Sequence, residues 1–190
     1  GLYIYNIGDI VGQDNVYVSS HMSNKRLMLG FYSIVLFELI GYKTIGNVIW
    51  DKGEVQSKRN STDNPFPTYL RPINAYEHCI VFGKNTDELP SLPNVLRIDP
   101  VRKINSKGEN ILGHTAPYPE KLVQAFISWI ATPKGHILDP FVGSGTTVIA
   151  CVRQGLKAVG VELDSTYFEL CKTRIENELN KPQPSSVALF

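Results

Sequence analysis

The stretch Ile-Leu-Asp-Pro-Phe-Val-Gly-Ser-Gly-Thr-Thr, residues 137–147, decides the fold of this 190-residue chain. An apolar run ends in Asp139 and Pro140, and a Gly-Ser-Gly turn then opens a segment that favours a helix. A second β-rich run, residues 157–163, carries Glu162 near its end. A strand, a glycine turn, a helix and a strand with an acidic tip together predict a nucleoside-cofactor pocket at the carboxyl edge of a parallel sheet.

The glycine turn fits other phosphate-binding motifs only in part. A P-loop needs a lysine directly after its second glycine, and Thr146 stands there, so that motif is excluded. A dinucleotide fingerprint needs a third glycine where Val148 stands, so that match is partial. A turn with a purely structural role stays open. At the second strand tip, the two oxygens of Glu162 can accept the hydroxyls of a ribose, and Thr146 and Thr147 can cap the helix.

Composition predicts one globular domain over residues 1–190, with 43% hydrophobic residues, 19% charged residues and a net charge of +1. The three cysteines, Cys79, Cys151 and Cys171, lack metal-ligand spacing, and their odd number argues against a disulfide framework. They predict buried, reduced thiols in a cytoplasmic protein, and we expect no metal site. The longest apolar stretch, residues 31–40, is too short to cross a bilayer, so we expect no membrane association.

The pattern along the chain predicts alternating strands and helices, and hence a doubly wound, mostly parallel α/β sheet. Before the glycine turn, strands are expected at residues 2–7, 44–52 and 77–84, and helices at residues 23–39 and 119–130. After it, a helix, a strand at 157–163 and a last helix at 165–179 follow. Loops are expected at residues 13–20 and 53–72, a low-apolar insertion at 85–113 and a frayed tail over the last ten residues.

The segment Asp139-Pro-Phe-Val-Gly-Ser-Gly-Thr-Thr147 resembles the S-adenosylmethionine motif of the DNA amino-methyltransferases, enzymes that methylate the exocyclic amine of cytosine (N4) or adenine (N6). The run Gly160-Val-Glu-Leu-Asp164, followed by Tyr167 and Cys171-Lys-Thr-Arg174, is similar to the family's next block. Upstream, Gly113-His-Thr-Ala-Pro-Tyr-Pro-Glu-Lys-Leu122 is similar to a segment that lies beside the cofactor in that family. Weaker matches, useful mainly for their order, stand at residues 49–52 and 77–84.

The resemblance implies a Rossmann-like methyltransferase domain with permuted motif order, S-adenosylmethionine as cofactor and double-stranded DNA as substrate. A restriction–modification system with a cognate restriction endonuclease is the expected setting. Asp9 either lines the cofactor pocket, as the resemblance suggests, or caps a turn. His114 and Thr115 either contact the methionine end of the cofactor or belong to a loop without that role. The cofactor-binding residues that the resemblance implies are Asp139, Phe141, Gly143, Ser144, Gly145, Thr146, Glu162, Leu163, His114, Thr115 and Asp9.

Basic side chains in the loop at 53–72 and in the insertion at 85–113 are candidates for contacts with DNA phosphates. The alternative is that both segments are solvated and carry mixed charges. The candidate DNA-binding residues are Lys58, Arg59, Arg71, Arg97, Arg102, Lys103 and Lys107.

The family's catalytic block is a polar residue followed by Pro-Pro and an aromatic residue, which holds the target amine and stacks on the flipped base. The nearest string here, Asn64-Pro65-Phe66-Pro67, makes Asn64, Pro65 and Phe66 weak catalytic candidates only, because it departs from the block at its second proline and follows two strands that the block should precede. We therefore expect that the block precedes Gly1, that the chain is truncated at its N-terminus, and that it binds cofactor but is inactive alone. The alternative function is a non-catalytic DNA- or protein-binding module with the same fold, and a small-molecule or RNA methyltransferase is a third possibility.

Overall fold

Two compact units make up the chain, Gly1–Asp99 and Pro100–Phe190, and each is described by itself. The fold is known from a computed structural model, which describes residues 1–13, 16–18, 25–53, 75–84, 91–101, 119–132 and 135–181. Within these residues no helix is long and apolar enough to cross a membrane. Whether the two units behave as one domain, as composition predicts, stays a prediction.

The first unit is built on a four-stranded sheet in the order β1-β6-β5-β7. Its strands are β1 (Leu2–Ile7), β5 (Lys43–Asp51), β6 (Tyr76–Gly83) and β7 (Val95–Arg97). Strand β6 runs antiparallel to β1 and to β5, whereas β5 and β7 are parallel. The strands predicted at 2–7, 44–52 and 77–84 are therefore present to within a residue at each end.

A second, three-stranded antiparallel sheet precedes the first helix, with strands β2 (Ile10–Gln13), β3 (Val16–Val18) and β4 (Lys25–Leu27). Two predictions are wrong here. Residues 13–20 were expected as a loop, but Val16–Val18 pairs with β2 because β-branched and aromatic residues favour extended backbone. The helix expected at 23–39 is α1, Leu29–Leu39, because Lys25–Leu27 pairs with β2 instead.

The core of the first unit lies where α1 packs on β6. The Phe37 ring stacks on Phe82 with centroids 4.2 Å apart, and Tyr3 stacks on Phe37 with centroids 5.1 Å apart. Gly30 lets the helix approach the sheet, because a Cβ there would lie 3.0 Å from the His78 ring. Complete burial of a phenylalanine side chain contributes about 1.5–3 kcal/mol, and the half-buried Phe37 gains part of this by stacking on the buried Phe82, which anchors α1 to the sheet. The opposite side of α1 leaves large apolar side chains exposed, among them Leu36 and Leu39.

The second unit packs three helices against one face of two parallel strands, β8 (His136–Asp139) and β9 (Lys157–Gly160), whose other face leaves Leu138 and Val159 exposed. The helices are α2 (Glu120–Ile130), α3 (Thr146–Arg153) and α4 (Ser165–Leu179). Its cores are a cluster of Ile127, Ala150 and Cys151 and a cluster of Val142, Val148 and Cys171. This strand–turn–helix–strand–helix order is the predicted one, and the bounds of α4 match the prediction residue for residue. The strand predicted at 157–163 is shorter, because β9 ends at Gly160 and Glu162 lies in the loop after it.

The segment between β6 and α2 is only partly described. The insertion predicted at 85–113 contains β7, so its described part extends the sheet, because Ile49 to Asp51 offer an open edge to residues 95–97. The loop at 53–72 lies outside the described residues apart from Gly53, and so does the predicted tail beyond Lys181.

The three thiols are buried, as predicted, and none is in a disulfide. Burial raises the pKa of Cys79 to about 12 and that of Cys151 to about 11, and it also raises the pKa of Cys171. All three are therefore neutral thiols near pH 7 and act as small apolar side chains in the interiors of the two units.

Candidate functional site

Strands β8 and β9 end side by side, and their pairing continues past the strand ends. The Val161 amide donates to the Asp139 carbonyl at 2.9 Å, and the Val142 amide donates to the Val161 carbonyl at 3.0 Å. The loop after β8 and the loop after β9 therefore leave the sheet at the same carboxyl edge. In open α/β sheets this edge is where ligands bind.

Residues 142–145, called the glycine loop from here on, form a tight turn before α3. The Gly145 amide donates to the Val142 carbonyl at 2.9 Å, and both glycines have positive φ, 53° at Gly143 and 89° at Gly145. A Cβ on Gly145 would lie 2.7 Å from the Cys171 sulfur, closer than such atoms approach. Glycine at 145 is thus required twice, by the backbone conformation and by the closeness of α4.

Asp139 ties the end of β8 to the start of α3. Its Oδ1 accepts from the Phe141 amide at 3.0 Å, and its Oδ2 accepts from the Thr147 hydroxyl at 2.5 Å. The expectation that Thr146 and Thr147 cap α3 is wrong, because Gly145 is the N-cap residue and no side chain caps that helix. The hydroxyl of Thr147 goes to a carboxylate instead, which gives a charge-assisted hydrogen bond.

Glu162, at the tip after β9, binds three backbone amides. Its Oε2 accepts from Gly143 at 2.8 Å, and its Oε1 accepts from Leu163 at 3.0 Å and from Asp164 at 2.9 Å. The bond from the Asp164 amide, helped by those from Gly143 and Leu163, lowers the pKa of Glu162. The carboxylate is therefore charged at neutral pH, and it joins the β9 tip to the glycine loop.

Helix α4 begins next to this carboxylate and runs back under the loop. Asp164 caps the helix, with its Oδ1 accepting from the Thr166 and Tyr167 amides at 2.8 and 3.0 Å. Further along the helix, the Arg174 guanidinium donates from Nη1 to the Ser144 carbonyl. Burial lowers the pKa of Arg174.

Two apolar side chains stand exposed at the tips of the paired strands. Phe141, just ahead of the glycine loop, is 81% exposed, and Leu163, just after Glu162, is fully exposed. Because both side chains stand at the edge where such sheets bind ligands, they are candidates for contact with an apolar part of a ligand.

Most residues predicted for the cofactor site fall at this edge of the second unit: Asp139, Phe141, Gly143, Ser144, Gly145, Thr146, Glu162 and Leu163. Asp9 is buried and lies after β1 in the first unit. His114 and Thr115 lie outside the described residues. So do the weak catalytic candidates Asn64, Pro65 and Phe66.

Of the residues predicted to contact DNA, only Arg97 is described, as an exposed residue of β7. Lys58, Arg59, Arg71, Arg102, Lys103 and Lys107 lie outside the described part of the chain. Across that described part, no three histidine, cysteine or acidic side chains group as they would around a metal ion. His78 is buried, and its Nδ1 lies 3.1 Å from the Asn47 amide nitrogen and 3.2 Å from the amide oxygen.

Cys171 and Arg174 both contact the glycine loop, whereas the sequence placed them only in a block similar to one of the family's and did not predict this contact. The sequence feature that could have indicated this contact is the spacing of three residues on a helix, which places both side chains on one face of α4. What the sequence did not reveal is which face of α4 turns toward the loop.

The chain is similar in sequence to known DNA methyltransferases. The sequence profile of a DNA methylase family matches residues 9–173. The chain is 44% identical over 187 residues to the type II beta methyltransferase M.BslI of Bacillus sp. (strain NEB-606), covering 91% of this chain and 20% of that protein. It is 26% identical over 171 residues to the type II methyltransferase M.ScaI of Streptomyces caespitosus, covering 76% of this chain and 54% of that protein. The chain thus spans about a fifth to about half of these relatives.

Solved structures share the fold. The PvuII DNA methyltransferase, a cytosine-N4-specific enzyme, matches with a TM-score of 0.69 at 19% identity, covering 92% of this chain and 63% of that one. A protein of Thermus thermophilus described as a DNA modification methylase, solved with S-adenosyl-L-methionine, matches with a TM-score of 0.62 at 20% identity. That match covers 96% of this chain and 71% of the other. The predicted fold class, an α/β methyltransferase of Rossmann-like type, is confirmed.

Proposed function

Because the chain belongs to the DNA methylase family, we propose that it binds S-adenosylmethionine at the carboxyl edge of β8 and β9 and forms part of a DNA amino-methyltransferase. The observation that carries this proposal is the glycine loop, held against the charged Glu162 and flanked by exposed Phe141 and Leu163. The target is the exocyclic amine of cytosine (N4) or adenine (N6) in duplex DNA. A restriction–modification system is the proposed setting.

The residues at this edge fit the chemical parts of the cofactor. Glu162 is a charged acceptor for a ribose hydroxyl, and a carboxylate has about four acceptor positions, of which three are taken by amides. A second hydroxyl would require one of those amide contacts to be released. Phe141 and Leu163 offer apolar surface to an adenine ring, and the glycine loop lets the ligand approach the backbone closely.

When bound, the cofactor would supply an electrophilic methyl group on a sulfonium. The contribution of these residues is to hold the donor in a fixed position, because transfer to a weakly nucleophilic amine gains rate mainly from positioning. Residues that hold the acceptor base are proposed to lie upstream of this edge, as the resemblance implies. Asp9, His114 and Thr115 are proposed to complete the cofactor pocket, and Arg97 and the other basic residues named above to contact DNA phosphates.

Cofactor binding is tested directly with S-adenosylhomocysteine, the methyl-transfer product. At a free concentration of about 100 times Kd it should stabilise the protein by about 2.7 kcal/mol, which a thermal melt detects. Glu162→Gln should weaken binding in calorimetry, whereas Glu169→Gln, on the exposed side of α4, should not. A melting temperature that stays unchanged at saturating ligand would remove the cofactor proposal.

Catalysis and specificity need a second experiment. Transfer of a radiolabelled methyl group to duplex DNA is measured on this chain and on any longer polypeptide of which it forms part, and the modified base is then identified. Methylcytosine or methyladenine in the product decides between N4 and N6. Cofactor binding without methyl transfer by either polypeptide would instead favour a non-catalytic module of the same fold.

DNA binding is tested by its salt dependence. Contacts between lysine or arginine and phosphates release counterions, so the affinity for a duplex should fall steeply as salt rises. Arg97→Gln should reduce the slope of that dependence if Arg97 touches a phosphate, and Lys121→Gln, an exposed change on α2, serves as its control. An unchanged slope in Arg97→Gln would remove that residue from the DNA interface.

A further inference from the structure

Helix α4 contacts the glycine loop through two side chains on one face. The Cys171 sulfur lies under Gly145, where an added Cβ would come within 2.7 Å of it. Three residues further on, Arg174 donates to the Ser144 carbonyl. Residues at this spacing stand one above the other on a helix, so a single face of α4 supports the loop at two successive residues.

The loop is bound on its other side by Glu162. The Gly143 amide donates to the Glu162 carboxylate at 2.8 Å, and the Ser144 carbonyl accepts from Arg174. Consecutive residues of the turn thus give their outward-pointing N–H and C=O groups to two side chains of opposite charge. Hydrogen bonds to ionised groups are about twice as strong as neutral ones, so these two contacts should fix the turn firmly.

The other arginine of this region has a different task. Arg153 on α3 is held by two carboxylates, Glu178 at 2.7 Å and Glu120 at 2.6 Å, and so joins three helices. Arg174 instead directs a donor to a backbone carbonyl of the loop. Placing a partly buried arginine against a carbonyl costs desolvation, and the gain is that this carbonyl is held by a charged, planar group.

The Ser144 carbonyl and the Gly145 amide belong to one peptide group. The carbonyl accepts from Arg174, and the amide donates to the Val142 carbonyl to close the turn. A cation at the oxygen withdraws electrons from the whole peptide group, so the amide becomes a stronger donor. Arg174 therefore stabilises the closed turn as well as its place against α4.

We propose that Arg174 is a positioning residue of the cofactor site, which holds the glycine loop in its ligand-binding shape by binding the Ser144 carbonyl. This rests on the proposed function, because the ligand concerned is S-adenosylmethionine or its homocysteine product. Arg174 acts through the loop and supplies no contact to the ligand itself.

The test compares Arg174→Met, Arg174→Lys and the control Lys172→Gln, an exposed change on the same helix. Methionine keeps the apolar stem and removes every donor, so the Kd for S-adenosylhomocysteine in calorimetry should rise roughly tenfold. Lysine keeps one charged donor and should lose less, and Lys172→Gln should bind like the wild type. Binding is measured well below the melting temperature of each variant, where a general loss of stability does not change the Kd.

Amide hydrogen exchange without ligand gives an independent reading. Residues 143–147 should exchange faster in Arg174→Met, while β1 and β6 keep wild-type rates. If Arg174→Met does not fold, Arg174→Lys carries the same test through its partial loss of affinity. Wild-type affinity together with wild-type loop exchange in both variants overturns the positioning role. If the wild type itself does not bind S-adenosylhomocysteine, the cofactor proposal is refuted. Faster amide exchange of the glycine loop in Arg174→Met would in that case still show that Arg174 stabilises the loop.

Discussion

The substitution Gly145→Ala, which adds a single methyl group, tests whether the glycine loop needs its positive φ and its close contact with α4. Gly145→Ala must accept a φ of 89° and a Cβ 2.7 Å from the Cys171 sulfur, so we expect a loss of about 1–3 kcal/mol or more in the free energy of unfolding. Urea melts measure it. Gly155→Ala is the matched control, because Gly155 also has a positive φ, 67°, but open space around its Cβ.

The contact with Cys171 can be separated from the backbone strain. In a Cys171→Ala background the sulfur is gone, so the additional cost of Gly145→Ala should fall toward that of Gly155→Ala. Equal costs for the two glycine substitutions in the wild-type background would mean that the helix yields to the added carbon.

Because the thiol of Cys79 is buried, the free energy of unfolding of the first unit should decrease at alkaline pH. Burial raises the pKa of Cys79 from 9.0 to about 12, so the folded state holds the proton after the unfolded chain has lost it. The stabilisation from this thiol is complete below pH 9 and is lost as pH rises toward 12. Above the unfolded pKa the free energy of unfolding of the wild type should fall faster than that of Cys79→Ala, by about 1.4 kcal/mol per pH unit. Parallel curves for the two proteins would contradict the shift.

Arg153 links the helices α2, α3 and α4 through ion pairs. It binds both oxygens of Glu178, at 2.7 and 2.8 Å, and one oxygen of Glu120, at 2.6 Å, and the bonds with Glu178 raise the pKa of Arg153. The bond from Arg153, together with one from the Lys181 ammonium, lowers the pKa of Glu178 to about 2. Arg153→Met should lower the melting temperature and leave the Kd for S-adenosylhomocysteine unchanged. The difference from wild type should shrink in high salt, since exposed ion pairs are screened. A difference that does not respond to salt would point to lost packing instead.

Elements with a strong local signal were the ones that sequence predicted well. Helix α4 has an aspartate cap and a long polar–apolar period, and its bounds match the prediction. The short strands β2, β3, β4 and β7 were missed, because three or four residues carry too little periodicity and no motif follows them, whereas β8 is just as short but leads into the recognisable glycine turn. The sequence predicted that Glu162 matters but not that it binds three amides, because the Gly143 amide comes from a distant segment and the Leu163 and Asp164 amides reach the carboxylate only in this particular turn.

We expect a bound ligand to protect backbone amides from hydrogen exchange mainly in the second unit. With S-adenosylhomocysteine bound, amide exchange should slow over residues 139–147 and 160–166, which form the strand tips and the glycine loop. Amide exchange of residues 8–10 tests the proposed role of Asp9, because slower exchange there in the presence of the ligand would support a place for Asp9 in the cofactor pocket. Protection confined to other parts of the chain would contradict the proposed site.

Each unit has one tryptophan. Trp50 is 3% exposed, donates from Nε1 to the Ile98 carbonyl at 2.7 Å and lies 5.1 Å from the Lys52 ammonium, whereas Trp129 stands on α2 against Phe126. Because the chain contains no other tryptophan, the intrinsic fluorescence divides by residue into a signal for each unit. With Trp129→Phe and Trp50→Phe in turn, a fluorimeter can follow the loosening of either unit separately, without any added dye.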